Sequence, residues 1–369
     1  MSAPAESTRS TESTGSAVRA GAAPRPVSAT RQAVLADRAR RRRRSTLVIT
    51  GLGVLVVVAF AVSLMVGNTF YTPREVLGVI FGQDIQGATF TVGRLRLPRA
   101  VVAVLVGLCF GMGGVTFQTM LRNPLASPDI IGISAGASAA AAFAIVVLSL
   151  GAGAVSVFAI VVGLAVALLI YVLAFRDGVA GTRLILVGVG VAAILDSLTA
   201  YVLSRAPQWD LQEVMRWLTG SLNGMDWARA LPVLVALAVF GSVLVARSGD
   251  LQTLQLGEDT ASALGVRVDR TRLVLIVCAV GLISFATAAA GPIAFVAFLA
   301  GPIAARLVGP GVSLLVPSAL VGAALVLVAD LIGQNWLGAR YPVGVVTGVL
   351  GAPFLLYLLI RTHRAGGSL

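Results

Sequence analysis

Ten apolar windows follow one another along the chain after residue 44, and they restrict its fold more than any other feature. They lie near residues 46–67, 98–119, 130–150, 152–174, 183–204, 230–246, 272–291, 294–308, 312–332 and 342–360. A helix needs about 20 apolar residues to cross a bilayer. The pattern therefore predicts an all-α, polytopic membrane protein with ten transmembrane helices.

The composition agrees with a membrane protein whose helices pack tightly. Only 12% of the residues are charged, against about a quarter in an average soluble domain, which excludes an ordinary cytosolic enzyme. Glycine supplies 41 residues, and small residues at i and i+4, such as Gly107 and Gly111, let helices approach closely. The windows at 230–246 and 294–308 are short, and Gly301-Pro302 interrupts the second. We therefore expect a compact bundle.

The residue types that are rare or absent exclude several kinds of site. All 28 basic residues are arginine, and the chain has one histidine, His363, and two cysteines, Cys109 and Cys278. Without lysine there is no Walker A loop, and these few ligands cannot form a Cys₄ or Cys₂His₂ zinc site. We interpret the cysteines as small buried residues, with a disulfide between them left open. We expect no cofactor, no metal site and no catalytic residue.

Residues 1–44 differ from the rest of the chain. They are rich in Ser, Thr, Ala and Pro, end in the arginine run 40–44, and contain ten arginines but only three acidic residues. We expect a disordered cytoplasmic tail that anchors the topology beside the first span, rather than an arm that binds nucleic acid. The transmembrane domain then covers residues 45–363, and residues 364–369 form a short second tail.

The arginines also predict the orientation. Ten spans place both termini on the cytoplasmic side, with 20 arginines inside and 8 outside, as the positive-inside rule requires. Without the tail the difference is only 10 against 8, so the tail decides the orientation. The outer arginines therefore need an explanation of their own.

Two outer stretches carry arginines that could bind a partner. Arg94, Arg96 and Arg99 precede the second span without an acidic neighbour. They are either a docking patch for an acidic partner or side chains that snorkel at a helix end, and composition leaves both readings open. The other stretch, residues 330–342, lies between the last two spans and carries Arg340.

The longest inner loop, residues 247–272, is expected to form two short helices. Small and apolar residues stand between two glycines, which end helices, and acidic residues stand near a helix start, where they suit the helix dipole; the residues concerned are Leu256, Gly257, Glu258, Ala261, Leu264 and Gly265. Because the chain has no nucleotide site, we expect this loop to bind a soluble partner. The alternative is a plain re-entrant connection.

Three further features concern single positions. The inner stretch Arg122, Asn123 and Pro124 predicts a rigid turn that ends a helix. Asp196 is an ionisable residue inside a span, which points to a transport pathway, with helix–helix hydrogen bonding or interfacial exposure as alternatives. We interpret Gln118 as a group that hydrogen-bonds between helices.

Seven stretches, taken in order, resemble the permease subunits of type II ABC importers, the FecCD-type family. They are RLPR (96–99), the glycine-rich run with Gln118, RNPLASPDIIGISAGA (122–137), WLTGSL (217–222), LGEDTASALGVRV (256–268), GPIAFVAFLAGPIAARL (291–307) and PVGVVTGVLGAPFLLYLL (342–359). The similarity runs from about residue 47 to about residue 361. Each stretch is weak evidence alone, whereas seven in order are specific.

The resemblance implies the type II importer fold, with ten helices and an inverted repeat. It implies a second permease subunit, in a homodimer or heterodimer, two cytoplasmic ATPase subunits and an extracytoplasmic substrate-binding protein. The cargo it implies is a ferric siderophore, with cobalamin and haem as alternatives. It further implies that Arg96 and Arg99 pair with acidic residues of the binding protein, and that the 254–267 helices sit in a groove of the ATPase.

One departure from the family pattern concerns the last outer loop. Many members have an acidic residue before Leu-Pro-Val-Gly, where this chain has Arg340-Tyr341-Pro342. An arginine often found slightly earlier is Gln334 here. We hypothesise that Arg340 takes over a docking role from this shifted position.

Two other classes of function compete with an ATP-driven importer. A secondary transporter driven by an ion gradient requires ionisable residues or broken helices at mid-membrane, and Asp196 alone fits. An intramembrane enzyme requires paired carboxylates or a histidine site within the spans, and the sequence has neither.

Overall fold

A computed structural model of the chain describes residues 27–127, 132–174 and 181–364. These residues form helices joined by turns and contain no β-strand. The helices are α1 (Val27–Met65), α2 (Pro73–Ile80), α3 (Thr89–Met120), α4 (Ile133–Val146), α5 (Ala152–Ala174), α6 (Gly181–Ser204), α7 (Gln208–Leu218), α8 (Trp227–Ala246), α9 (Ser248–Leu254), α10 (Glu258–Ala263), α11 (Val268–Ala290), α12 (Val296–Val308), α13 (Leu315–Asn335) and α14 (Val343–Arg364). The segments Thr89–Arg96 of α3 and Leu237–Gly241 of α8 are π-helical.

A helix lies at each of the ten predicted apolar windows. Within the described part of the chain, seven helices (α1, α3, α5, α6, α8, α11 and α13) are long and apolar enough to cross a membrane. The other three, α4, α12 and α14, contain shorter apolar segments of 10–17 residues. The prediction of a polytopic all-α protein is confirmed, while the count of ten complete crossings stays a prediction.

Burial divides the long helices into an inner and an outer group. In the most apolar part of α3, α11 and α13, 83%, 78% and 67% of the residues are buried, against 17–28% in α1, α5, α6 and α8. Glycine explains the tight inner packing, as the spacing of Gly107 and Gly111 predicts. A Cβ at either position would collide with the backbone of α13, at Gly322–Ala323 and at Ser318. The buried cysteines Cys109 and Cys278 are both free.

The short helix α12 continues through Pro302, although the sequence suggested a break there. Proline has no N–H, so it cannot satisfy the carbonyl four residues earlier, which is that of Phe298. The Gln118 side chain donates a hydrogen bond of 2.9 Å to this carbonyl from α3. A side chain at Gly301 would strike Gln118. Gln118 therefore joins two helices, as predicted, and keeps α12 intact.

The chain divides into two units, residues 1–40 and 41–369. In the first unit, residues 1–26 of the predicted tail lie outside the described residues, and residues 27–40 are helical. This differs from the disorder expected over that stretch, and its alanines and arginines are strong helix formers. Residues 365–369, in the predicted second tail, are also outside the described residues.

In the second unit, the arginine run caps a helix. Helix C-termini leave carbonyl groups without partners, and α12 ends at Val308. The Arg44 side chain donates hydrogen bonds of 3.1 and 3.2 Å to the carbonyls of Leu307 and Arg306. A positive charge at this position also interacts favourably with the negative end of the helix dipole.

The two halves of the predicted repeat have similar element lengths. Helices α3 to α6 run long, short, long, long, and α11 to α14 do the same, with short members of 14 and 13 residues. A residue with positive φ precedes each short helix, Gly132 at 85° and Phe295 at 65°. This likeness agrees with a repeated four-helix unit.

Candidate functional site

Three polar side chains meet in the first half of α3, and we call them the outer cluster: Arg99, Asn223 and Asp330. Arg99 donates two hydrogen bonds, of 2.8 and 2.6 Å, to the two carboxylate oxygens of Asp330 in α13. A third bond of 2.7 Å goes from Arg99 to the Asn223 side chain. Bidentate arginine–carboxylate pairs are strong and directional. The cluster therefore ties α3, α13 and the loop between α7 and α8 together.

Arg96, also predicted to dock a partner, makes contacts inside the chain. Its guanidinium donates to the carbonyls of Leu64, Met65 and Thr69 at 2.7–2.9 Å. It also lies 5.2 Å from the centre of the Tyr71 ring. Since α1 ends at Met65, Arg96 caps that helix in the same way as Arg44 caps α12. These contacts occupy most of the side chain's donors.

Arg94 and Arg340 lie at the same end and are exposed to solvent. No hydrogen bond or ion pair of either side chain occurs among the described residues. Arg340 stands in the turn where the Tyr341 N–H bonds to the carbonyl of Gly333, so it projects near the end of α13. Of the arginines that could dock a partner, Arg94 and Arg340 are therefore the ones whose charges are available.

A cavity of about 440 Å³ adjoins the outer cluster. Its lining includes Trp209, Glu213 and Arg216 of α7, together with Asn223 and Arg229. Polar and aromatic side chains therefore surround an opening beside the Arg99–Asp330 pair. Neither here nor anywhere else among the described residues are three His, Cys, Asp or Glu side chains arranged to hold a metal ion.

The predicted inner loop forms the short helices α9 and α10, joined at Gly257. Gly257 and Gly265 have φ of 115° and 88°, values that favour glycine, so the two glycines delimit α10 as the sequence predicts. Ala261 is completely buried, whereas Leu256 and Leu264 are 63% and 64% exposed. The loop is thus held by its inner face and presents apolar side chains outward.

An ion pair joins α10 to the bundle. Glu258, the first residue of α10, accepts a hydrogen bond from Arg272 of α11. The Arg272 side chain is 8% exposed and that of Glu258 is 43% exposed. A buried arginine needs a counter-charge, so the pair fixes α10 to the first turn and a half of α11.

Helix α11 connects this loop to the outer cluster at the other end of the bundle. Its last residue, Ala290, accepts a 2.7 Å hydrogen bond from the Ser221 N–H. Gly220 and Gly291 pack so closely that a Cβ on either would strike the other segment's backbone. Two residues further on, Asn223 contacts Arg99. One uninterrupted helix therefore links the two polar ends.

The turn Arg122–Asn123–Pro124 ends α3 near α9. The Asn123 N–H bonds to the carbonyl of Gln118 and the Arg122 N–H bonds to that of Thr119, which is the Schellman arrangement. Arg122 has φ of 49°, where glycine is usual. Its side chain is exposed. The predicted turn is present, and an arginine occupies its strained position.

Asp196 lies on an exposed face of α6, the long helix with the smallest buried share. No hydrogen bond or ion pair of this carboxylate occurs among the described residues. Ala193 and Ala200, three residues before and four residues after Asp196, lie on the same face and are also exposed. A carboxylate facing lipid would be costly, so this face of α6 is suited to water or to another protein.

Sequence reasoning assigned no role to Asn223, Asp330 or Arg272, although Asp330 begins the outer stretch 330–342 that it singled out. Asp330 and Arg272 each had a signal, because each is a charged residue within or next to a long apolar stretch. Their partners lie 231 and 14 residues away in sequence. Asn223 had no signal in the sequence, since its role depends on where the loop after Gly220 folds.

Comparison with known proteins agrees with this arrangement. A model of the FecCD transport family matches residues 55–361. The ferric enterobactin transport system permease protein of Escherichia coli (strain K12) is 38% identical over 84% of this chain and 94% of its own length. The achromobactin transport system permease protein of Dickeya dadantii (strain 3937) is 40% identical, over 84% and 90%.

A solved structure extends the likeness to three dimensions. An inward-facing conformation of a metal-chelate type ABC transporter superposes with a TM-score of 0.77 and 26% sequence identity. The match covers 86% of this chain and 99% of the other. Fold and sequence therefore give the same assignment over nearly the whole transmembrane domain.

Proposed function

Because this chain belongs to the FecCD transport family, we propose that it is the permease subunit of an ATP-driven importer whose cargo is a ferric siderophore. The observation that carries the proposal is 38% identity to a ferric enterobactin permease over 94% of that relative's length. The chain itself contains no Walker A lysine. It therefore forms the membrane pathway, and partner subunits hydrolyse ATP.

The proposed complex contains a second permease subunit, two cytoplasmic ATPase subunits and an extracytoplasmic binding protein. The α9–α10 loop faces the ATPase, and the exposed Leu256 and Leu264 provide apolar contacts that a partner can bury. The arginine-rich tail and both termini lie on the cytoplasmic side. Arg340 and Arg94 provide free positive charge on the opposite side, where an acidic surface of the binding protein docks.

The mechanism follows from the rigid connection between the two ends. When the ATPase subunits close, they move α10, and the Glu258–Arg272 pair transmits this displacement to α11. The other end of α11 presses on the loop at Gly220, next to the outer cluster. A conformational signal needs an element with two arrangements that both ends influence, and we assign that role to α11 with the loop that it contacts.

The cargo pathway lies along α6 in this proposal. Asp196 is exposed in the single chain, and a partner subunit or a water-filled cavity removes it from contact with lipid. A pathway lined by small apolar side chains leaves room for a large chelate. A coupling ion, in contrast, needs several polar side chains that coordinate it. The isolated position of Asp196 therefore favours an ATP-driven importer over an ion-driven secondary transporter.

Reconstitution tests the proposal directly. Proteoliposomes containing the permease, its ATPase and its binding protein are supplied with ⁵⁵Fe-labelled ferric siderophore or labelled cobalamin, with and without internal ATP. We expect iron uptake only with ATP and both partners. Uptake of cobalamin and not of iron would show that the cargo is cobalamin. Uptake driven by an ion gradient without ATP would contradict an ABC importer.

A matched pair of variants tests the role of the α9–α10 loop. Gly265 and Gly338 both have positive φ, 88° and 72°, and open space around the Cα, but they lie at opposite ends of the bundle. We expect Gly265→Arg to abolish stimulation of the ATPase while the permease dimer still assembles. Gly338→Arg adds the same charge and the same backbone strain and is expected to leave ATPase stimulation unchanged.

A further inference from the structure

A basic cavity lies beside the α9–α10 loop, between the ends of α8 and α11. It has a volume of about 360 Å³, and its charged lining consists of Arg247, Arg267, Arg270 and Asp250. Three positive charges and one negative charge leave it net positive. Such a cavity attracts an anionic group.

The arginines have donors to spare. Arg247 makes a 3.0 Å bond to Asp250 through one of its nitrogens, and a guanidinium has five N–H donors. Arg267 and Arg270 are exposed, and neither side chain has a hydrogen bond or ion pair among the described residues. The nearby carboxylate Asp269 is exposed and makes no hydrogen bond or ion pair with either arginine among the described residues. The charges of Arg267 and Arg270 are therefore not neutralised by an ion pair within the part of the chain that the structure describes.

Partly exposed apolar side chains continue from this cavity along α11, and we call them the apolar strip. Residues four and seven positions after Arg270 lie on the same face of α11, and these are Val274, which also lines the cavity, and Val277, which is 51% exposed. The same face reaches Gly281, against which the Phe240 ring of α8 lies. The rise from Arg270 to Gly281 is about 16 Å, close to half of the ~30 Å hydrocarbon thickness of a bilayer.

We infer that this cavity and the apolar strip bind an anionic phospholipid. The phosphate lies among Arg247, Arg267 and Arg270, and an acyl chain runs along Val274 and Val277 towards Phe240. Basic pockets between transmembrane helices suit lipid head groups. The strip belongs to a helix that is long and apolar enough to cross a membrane, so a charged head group and an acyl chain fit the cavity and the strip together. The inference depends on the membrane location of the chain and not on the cargo proposed above.

Native mass spectrometry of the purified full chain tests the inference. The detergent-solubilised protein is titrated with phosphatidylglycerol and with phosphatidylcholine of the same acyl chains. A basic residue at an anionic lipid surface contributes roughly fivefold to affinity, so Arg267→Gln/Arg270→Gln is expected to weaken phosphatidylglycerol binding about 30-fold. Phosphatidylcholine binding is expected to change less than twofold.

A charge-matched control separates the cavity from general electrostatics. Arg122→Gln/Arg183→Gln removes two exposed arginines outside the cavity lining and is expected to change phosphatidylglycerol affinity less than twofold. Equal weakening by both double variants would overturn the inference. Arg267→Lys/Arg270→Lys keeps both positive charges and is expected to retain affinity within about threefold, which tests whether charge at these two positions holds the lipid.

Two further arms distinguish other ligands. If millimolar inorganic phosphate displaces phosphatidylglycerol, or if a short-chain phosphatidylglycerol binds as tightly as the long-chain lipid, the cavity is a plain anion site and the apolar strip has no role. If Arg267→Gln/Arg270→Gln leaves lipid binding unchanged but abolishes co-purification of the ATPase, the cavity is a protein-docking surface. Either result overturns the inference.

Discussion

The ion pairs at the two ends of the bundle differ in how each charge meets solvent. In the outer cluster, both partners are largely shielded from solvent: the side chains of Arg99 and Asp330 are 20% and 10% exposed. In the pair at the α9–α10 loop, Arg272 is 8% exposed but Glu258 is 43% exposed. The first pair fixes three segments together, whereas the second joins a buried cation to a carboxylate that water can reach.

This difference suits different mechanical roles. Separating two protected charges leaves both without solvent and without a partner, which is expensive. A half-exposed carboxylate recovers hydration when it leaves its partner, so the pair is cheaper to break. The outer cluster is therefore suited to holding the bundle together, and the Glu258–Arg272 pair is suited to a joint that moves when a partner pulls on α10.

The largest expected effect comes from breaking the outer pair. Asp330→Asn leaves Arg99 without its counter-charge and is expected to lower the free energy of unfolding by about 3–5 kcal/mol. Denaturant unfolding of the purified chain in mixed micelles measures the change. Glu213→Gln, which removes an exposed carboxylate at the same end, serves as the control, and equal effects of the two variants would show that the outer pair stabilises nothing.

Breaking the Glu258–Arg272 pair is expected to lower stability less than breaking the outer pair does, but to reduce transport. Glu258→Gln is expected to lower the free energy of unfolding by about 1–2 kcal/mol, since one partner is half exposed. It is also expected to reduce ATP-dependent uptake severely, because α10 loses its link to α11. Asp259→Asn, one residue along the same helix turn, lacks this pair and is the matched control; if it impairs uptake as strongly, the link is not the cause.

An outer arginine outside both pairs is expected to affect recognition and not stability. Arg340→Glu reverses a free, exposed charge and is expected to weaken the complex with the binding protein about tenfold at low salt, with a smaller effect at high salt. Surface plasmon resonance at two ionic strengths measures this. Arg183→Glu, away from the outer end, should leave affinity unchanged. An unchanged affinity of the Arg340 variant at low salt would rule out its docking role.

The smallest effect concerns the strained turn at the end of α3. Arg122→Gly removes the cost of a side chain at φ 49° and is expected to raise the free energy of unfolding by about 0.5–1 kcal/mol. Arg122→Ala keeps the strain and should give no gain. If glycine also lowers ATPase stimulation, the exposed arginine is kept for function at the expense of stability; equal stability of the two variants would show that the turn is not strained.

Much of the fold was predictable because the bilayer requires long apolar segments, and these are visible in sequence. The spacing of Gly257 and Gly265 likewise predicted α10, since glycine ends helices. Gln118 was identified as a polar residue in an apolar helix, although its partner, the carbonyl freed by Pro302, was not. The roles of the predicted docking residues were harder to predict. Arg96 and Arg99 look alike in sequence, yet Arg96 caps a helix and Arg99 forms an ion pair.

The sequence by itself determined the membrane class, the positions of the apolar helices and the two polar loops, because hydrophobic segment length and glycine spacing are local properties of the chain. The tertiary structure alone decided which charges are neutralised. Asp330 meets Arg99 across 231 residues, and the burial that makes their pairing strong comes from the packing of other helices around them. The tertiary structure also leaves Arg267, Arg270 and Arg340 without a hydrogen bond or ion pair to any described residue, and these charges are the ones available to lipid and protein partners.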